Sequence, residues 1–126
     1  MNEQCLGIDW GTKRIGLALG NAETKLASPI GMTDSLAGVL EWVKKEKIER
    51  LVVGVPFHAS SEERELNNDF MAFLEALEVQ SGLPVSQVDE RFTSQAADTL
   101  GATSKRDGGR DAIAAMIILQ SYFDSL

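Results

Sequence analysis

The chain has 126 residues, of which 44% are hydrophobic and 25% charged, and its formal net charge at pH 7 is −7. This length and composition predict one soluble globular domain over residues 1–126, and no apolar run approaches the roughly 18 residues that a membrane span needs. The N-terminus lacks a basic segment before an apolar core, so no signal peptide is expected, and the acidic charge argues against binding nucleic acid through a general basic surface.

Three strands and a helix are predicted for the first part of the chain. Residues 4–9 form a mostly buried strand in which the single cysteine, Cys5, is a small buried side chain, and a lone thiol fits a reduced cytoplasmic protein. Strands over 14–19 and 25–32 follow, each after a turn of small and polar residues. Asp34 or Ser35 can then cap a helix whose apolar residues recur at helical spacing.

Two crossover strands and three helices are predicted for the remainder. The elements are a strand over 51–55, a helix from Ser60 or Ser61 to Gly82, a strand over 84–90, a short helix from Thr93 or Ser94 to about Leu100, a loop over 101–109 and an apolar helix over 111–123. This order predicts an α/β fold with a mixed five-stranded sheet, three strands antiparallel and then two parallel, flanked by helices. A ribonuclease-H-like domain has this order.

Acidic residues stand where they could converge. Asp9 ends the first strand, Asp89 and Glu90 end the fifth, and Asp111 begins the last helix. The carboxyl ends of parallel strands share one edge of a sheet, and a helix packed on the sheet can bring its N-terminus there. Converging carboxylates repel one another unless cations lie between them, and Mg²⁺ or Mn²⁺ prefer such ligands. Two such ions about 4 Å apart can hydrolyse a phosphodiester. Strand alternation puts Asp89 and Glu90 on opposite faces without choosing between them.

Each acid also has an ordinary interpretation when it is taken alone. Asp9 could order the turn that follows it, and Asp111 could simply favour the positive end of a helix dipole. The acids at 89–90 could be a solvated strand end or pair with Arg91. The joint placement of all three positions favours the metal site.

Basic residues surround these acidic positions and are candidates for contacts with a nucleic-acid backbone, although each could equally be a solvated charge. They are Lys13 and Arg14 in the first turn, Arg91 after the fifth strand, and Lys105, Arg106 and Arg110 in the loop before Asp111. The glycines at 7, 11 and 16 keep the first hairpin slim, which allows a backbone or a phosphate to approach closely. The lone histidine, His58, is interpreted as incidental, and Trp10 and Trp42 as packing residues.

Four segments, in order over almost the whole chain, resemble the YqgF/RuvX family. They are Leu-Gly-Ile-Asp-Trp-Gly-Thr-Lys-Arg-Ile-Gly-Leu-Ala (6–18), Val-Val-Gly-Val-Pro (52–56), Asp-Glu-Arg-Phe-Thr-Ser (89–94) and Asp-Ala-Ile-Ala-Ala-Met-Ile-Ile-Leu-Gln-Ser-Tyr-Phe (111–123). The resemblance implies a ribonuclease-H-like fold related to the Holliday-junction resolvases, and a cytoplasmic bacterial nuclease that matures the 5′ end of 16S pre-rRNA. It implies Asp9, Glu90 and Asp111 as the catalytic, metal-binding acids, with two Mg²⁺ or Mn²⁺ ions.

Two segments depart from the family pattern. Phe57–Glu63 replaces a loop that usually resembles Asn-Met-Asp-Gly, and an acid and two glycines interrupt the basic stretch at 104–110. Both departures bear on the substrate more than on the fold. The expected partner is nucleic acid, with RNA favoured and branched DNA as the alternative, and the protein is a monomer or a homodimer that does not bind membranes.

Three other functions compete with a pre-rRNA nuclease. A DNA junction resolvase uses the same chemistry but needs two sites on a symmetric dimer. A sugar-kinase or actin-like nucleotide binder shares the Asp-x-Gly-Thr pattern of residues 9–12, yet it needs two related domains where this length supplies one. A non-catalytic RNA- or protein-binding factor in transcription or ribosome assembly would fit the acidic charge.

Overall fold

The sheet of this protein has five strands in the order β3-β2-β1-β4-β5. The computed structural model describes residues 3–55, 63–89 and 109–126. Its elements are β1 (Gln4–Trp10), β2 (Ile15–Asn21), β3 (Leu26–Thr33), α1 (Leu36–Lys45), β4 (Arg50–Val55), α2 (Glu63–Ser81), β5 (Val85–Asp89) and α3 (Gly109–Asp124). The first three strands are antiparallel neighbours, whereas β4 pairs in parallel with both β1 and β5. The predicted mixed sheet is confirmed.

Both faces of the sheet are covered, because alternate residues of each central strand belong to different hydrophobic clusters. In β1, Leu6 and Ile8 pack with α1 and α2, whereas Cys5 packs with α3. In β4, Leu51 and Val53 belong to the first cluster and Val52 to the second. Two faces are therefore defined, an α1/α2 face and an α3 face, and the residues of β1, β4 and β5 can be assigned to one of them by their position in the strand.

Helix α3 supplies most of the buried residues in the hydrophobic cluster on the α3 face. Its fully buried residues include Ala115, Ile118, Leu119 and Phe123, which recur at the spacing of one helical face. Burying a side chain the size of leucine or phenylalanine stabilises a fold by roughly 1.5–3 kcal/mol, so this face holds α3 firmly on the sheet. The predicted burial of the apolar C-terminal helix is confirmed.

Local signals set several of the helix ends. The Ser35 hydroxyl accepts a hydrogen bond from the Gly38 N–H at 3.2 Å, so of the two predicted capping residues Ser35 is the one used. Gly82 follows α2 with a φ of 66°, a left-handed conformation that favours glycine, which confirms the predicted helix stop.

The start of α3 corrects one prediction. Gly109 and Arg110 are already helical, whereas the sequence predicts a loop up to Gly109 and a helix from Asp111; residues 101–108 of the predicted loop lie outside the described residues. Glycine is a poor helix former in the interior of a helix, but the first turn tolerates it, because the N–H groups there have no partner within the helix.

Some predicted features lie outside the described residues. These are the opening of the second helix at Ser60 or Ser61 and the short helix from Thr93 or Ser94 to Leu100. A single domain over 1–126 stays a prediction for the same reason. Among the described residues, no helix has the length and apolar character needed to cross a membrane.

Candidate functional site

Asp9 lies on the α3 face of the sheet, one position before the end of β1. The residues of β1 that share its face are Cys5, which packs in the α3 cluster, and Gly7, where a Cβ would come within 2.8 Å of the Ala115 carbonyl oxygen. The next residue, Trp10, points to the other face, where its ring meets that of Phe70 at 5.7 Å between centroids. Strand alternation therefore turns the Asp9 carboxylate toward α3.

Gly16 is the cross-strand partner of Asp9 and determines what lies beside it. The two residues face each other in the antiparallel register of β1 and β2. A Cβ at Gly16 would collide with the backbone carbonyl of Asp111, so the first turn of α3 rests directly on this glycine. The close approach that the slim first hairpin predicted is confirmed, and the group that approaches is a helix backbone. Asp9 and Asp111 are consequently brought next to each other on one face of the sheet.

Asp111 stands in the first turn of α3, where the partial positive charge of the helix N-terminus favours a carboxylate. Its side chain is 25% exposed and forms an ion pair with Arg14, with 3.2 Å between Arg14 Nε and Asp111 Oδ2. Arg14 itself is 52% exposed and follows the turn between β1 and β2. The sequence assigned Arg14 to a nucleic-acid backbone and gave no sign of this pairing, which joins residues 97 positions apart in the chain.

Of the two acids at the end of β5, Asp89 lies on the face opposite Asp9. Val88 packs against the α3 cluster, whereas Val85 packs against the α1/α2 cluster. Asp89 has the parity of Val85 and therefore belongs to the α1/α2 face. Glu90 lies outside the described residues.

The remaining predicted binding residues are described only in part. Lys13 is exposed in the turn beside Arg14, and the backbone of Arg110 belongs to the first turn of α3 instead of the predicted loop. The other predicted contacts, and the lone histidine, lie outside the described residues; they are Arg91, Lys105, Arg106 and His58.

Both tryptophans pack against the core, as predicted. Trp10 contacts Phe70 and Phe73, and Trp42 packs on the same α1/α2 cluster with the Lys45 ammonium 4.7 Å from its ring centroid. Neither ring is therefore assigned to nucleic-acid stacking.

The donor set at this edge suits a hard divalent cation. Within residues 3–55, 63–89 and 109–126, no group of three or more His, Cys, Asp or Glu side chains could hold a metal ion. Asp9 and Asp111, which both neighbour Gly16 on the α3 face, each offer carboxylate oxygens, the ligand type that Mg²⁺ and Mn²⁺ prefer. Asp9 also makes a hydrogen bond or electrostatic interaction within the folded chain.

Two other features of the fold lie away from this pair of acids. A cavity of about 460 Å³ opens between α2 and β5, lined by residues that include Met71, Leu74, Glu75 and Gln87. At the opposite end of β1, Arg50 donates hydrogen bonds to Glu3 at 2.9 Å and to Ser86 at 3.0 Å, which ties β1, β4 and β5 together. Neither feature contains a residue predicted for the site.

Cys5 is fully buried next to that Arg50 cluster. Burial, followed by the negative charge of Glu3, raises the pKa of its thiol from 9.0 to about 12. The thiol therefore stays protonated at neutral pH, and a protonated thiol is a poor nucleophile. The interpretation of Cys5 as a small buried side chain is confirmed.

Comparison with known proteins identifies the family of the chain. The sequence model of the RuvX family, described as Holliday junction resolvase, matches residues 3–125. A Rickettsia canadensis protein named "Putative pre-16S rRNA nuclease" is 34% identical, with 99% of this chain and 88% of the relative covered. A Nitrosospira multiformis protein of the same name is 37% identical, with coverages of 94% and 86%.

Solved structures agree on the fold. Thermus thermophilus RuvC in complex with a Holliday junction substrate has a TM-score of 0.68 at 18% identity, covering 98% of this chain and 94% of that one. Fowlpox virus resolvase bound to Holliday junction DNA has a TM-score of 0.61 at 12% identity, covering 97% of each chain. The fold is therefore ribonuclease-H-like, and the chain belongs to the RuvX family of nucleases.

Proposed function

We propose that the protein is a divalent-metal-dependent nuclease that hydrolyses phosphodiester bonds in the maturation of the 5′ end of 16S pre-rRNA. The observation that carries the chemistry is the pairing of Asp9 with Gly16, on which Asp111 rests. The observation that carries the substrate is the name shared by relatives that are 34% and 37% identical over nearly the whole chain.

Asp9, Glu90 and Asp111 would hold the metal. Asp89 lies on the α1/α2 face, away from Asp9, and the ligand role of Glu90 is what the resemblance of residues 89–94 to the family implies. When bound, two Mg²⁺ or Mn²⁺ ions supply an activated water and stabilisation of the leaving oxygen. The carboxylates fix where the reacting phosphate lies relative to the sheet edge.

Nucleic acid would be bound by the basic residues around that edge. Lys13 is exposed in the turn that follows β1, and we assign it to phosphate binding. We assign the same role to Arg14, Arg91, Lys105, Arg106 and Arg110. A net charge of −7 means that this contact depends on local positive charge, so binding weakens steeply with salt. We place the protein in the cytoplasm, where its RNA substrate is found.

A nuclease assay tests the proposal. Purified protein is incubated with an RNA that carries the 5′ leader of 16S rRNA, in Mg²⁺ or Mn²⁺ and separately in EDTA. We expect cleavage only with metal, and a loss of at least about 100-fold in Asp9→Asn, because even partners of metal ligands are worth 10–100-fold. Asp69→Asn, which removes an exposed carboxylate on α2, is the matched control and should cut at the wild-type rate. An Asp9→Asn protein that cuts as fast as wild type would refute the metal assignment.

Holliday-junction resolution is the second candidate, favoured by the description of the family model. A resolvase must cut two strands symmetrically and therefore needs two copies of the site. Four-way DNA junctions are assayed beside the RNA. Cutting of junctions without cutting of RNA would reverse the order of the two candidates.

A further inference from the structure

Arg14 occupies the carboxylate that the proposed metal site needs. Its Nε lies 3.2 Å from Asp111 Oδ2, within hydrogen-bond and ion-pair distance. The first turn of α3 lies against Gly16 and the buried face of the same helix holds it on the sheet, so a change of partner at Asp111 is assigned to the side chains.

A divalent ion and the Arg14 guanidinium compete for the same oxygen. Two cations held a few ångströms apart repel each other, although solvent screens part of this repulsion at the exposure of Arg14. Binding of the ion to Asp111 Oδ2 therefore requires the guanidinium to leave. The pair is cheap to break, because Arg14 is 52% exposed and ion pairs of such exposure contribute little stability.

We propose that Arg14 is a positioning residue that holds Asp111 in the metal-free protein and is displaced by the divalent ion, after which it is free to bind a phosphate. This inference rests on the proposed function, because it assumes that Asp111 is a metal ligand. Lys13, the preceding residue, is also exposed, so a second cation lies one position along the chain from the released guanidinium. The metal-free site thus carries its own counterion, and metal binding exposes a planar donor suited to phosphate.

An alternative role for Arg14 predicts the opposite change in metal affinity. If Arg14 stayed on Oδ2 and merely oriented Asp111 for a metal on the other oxygen, its removal would loosen the carboxylate and weaken metal binding. Displacement predicts that removal of Arg14 strengthens metal binding. A structural defect in the variant would also weaken binding, so a gain in affinity is diagnostic.

The test is a titration of Mn²⁺ into the full chain without nucleic acid, followed by calorimetry and by the Mn²⁺ electron paramagnetic resonance signal. Arg14→Gln should bind Mn²⁺ about three- to ten-fold more tightly than wild type. The variant has no Arg14–Asp111 ion pair that the metal must break, and no guanidinium charge that repels the metal. Lys13→Gln removes the same charge one position away and should tighten binding by no more than about two-fold, as expected of screened surface charge. Arg14→Lys restores the cation and should return the affinity toward the wild-type value.

Four outcomes have distinct meanings. Tightening by Arg14→Gln beyond Lys13→Gln supports the displacement. Equal affinities of these two variants, or weaker binding by Arg14→Gln, overturn the role of Arg14 and leave the metal site intact. If wild type shows no Mn²⁺ binding that depends on Asp9, both the metal site and the inference fall. If Arg14→Gln does not fold, Arg14→Met is titrated in its place and judged by the same comparison.

A second measurement follows the released guanidinium. The affinity of the metal-bound protein for a single-stranded RNA is measured at several salt concentrations. In Arg14→Gln the slope of log affinity against log salt concentration should be smaller in magnitude by about 0.7, the value for one lost phosphate contact on a single strand. An unchanged slope in the metal-bound protein would overturn the phosphate role of Arg14.

Discussion

Gly16 of β2 lies directly against the backbone carbonyl of Asp111 in the first turn of α3. Because Gly16 is also the cross-strand partner of Asp9, this contact sets two carboxylates from distant parts of the chain beside each other. A glycine is required here for its missing side chain and not for an unusual backbone angle. The contact makes Gly16 a determinant of the proposed metal site although it has no donor atom of its own.

Gly16→Ala should weaken the site by lifting the start of α3. We expect a loss of about 1–3 kcal/mol of stability from overpacking and a loss of roughly 10-fold or more in Mn²⁺ affinity. Gly7→Ala is the matched control, because its Cβ would meet Ala115 and Leu119 in the middle of α3, away from Asp111. Urea denaturation and Mn²⁺ calorimetry measure the two effects. Equal losses of Mn²⁺ affinity in both variants would show that the Gly16 contact has no specific role.

Glu90→Gln and Asp89→Asn should differ sharply although the residues are neighbours. Asp89 lies on the α1/α2 face, so removing its charge should leave metal-dependent cleavage within about three-fold of wild type. Glu90→Gln should reduce cleavage by at least about 100-fold if it ligates the ions with Asp9. Single-turnover cleavage rates in Mn²⁺ make the comparison. The reverse result would exchange the two residues in the site.

Metal should stabilise the folded chain, and its removal should reverse the effect. At a Mn²⁺ concentration 100 times the dissociation constant, linkage gives about 2.7 kcal/mol, or a rise in melting temperature of about 10 °C for a chain of this size. Asp111→Asn should lose most of that rise, and EDTA should abolish it in wild type. Differential scanning calorimetry measures the shift. The same rise in Asp111→Asn would exclude Asp111 from the ligands.

Cys5 should resist alkylation in the folded protein. Its pKa is raised to about 12 from an ordinary value of 9.0, so at pH 8 the thiolate fraction is on the order of 10³-fold smaller than in the unfolded chain. Iodoacetamide labelling followed by mass spectrometry compares native protein with protein in denaturant. Rapid labelling of the native chain would contradict this burial.

The same shift predicts a pH dependence of stability. The folded state binds the thiol proton more tightly than the unfolded state, so this contribution is fully present below pH 9. It is lost as the pH rises from 9 toward about 12. Cys5→Ala should therefore show a shallower fall in the free energy of unfolding over that range. Parallel curves for the two proteins would argue against the shift.

The order of elements could be predicted because each local pattern has one structural meaning. The apolar run of β4 indicates an interior strand, and the serine at position 35 and the glycine at position 82 mark helix ends. The start of α3 was predicted two residues late, since helix termini depend on hydrogen bonds that composition does not reveal. Strand polarity predicts that the ends of β1 and β5, where Asp9 and Asp89 stand, lie at one edge of the sheet.

The assignment of residues to faces needed the tertiary structure. Alternation along β5 is visible in the sequence and separates position 89 from its neighbours, but it does not say which helix covers which face. That choice depends on packing between residues far apart in the chain, as does the pairing of Arg14 with Asp111. By itself the sequence determined the sheet, its polarity and the edge where carboxylates gather. Only the packing of α3 on Gly16 decided that Asp111 lies beside Asp9, because a backbone contact of that kind depends on the space left by a missing Cβ.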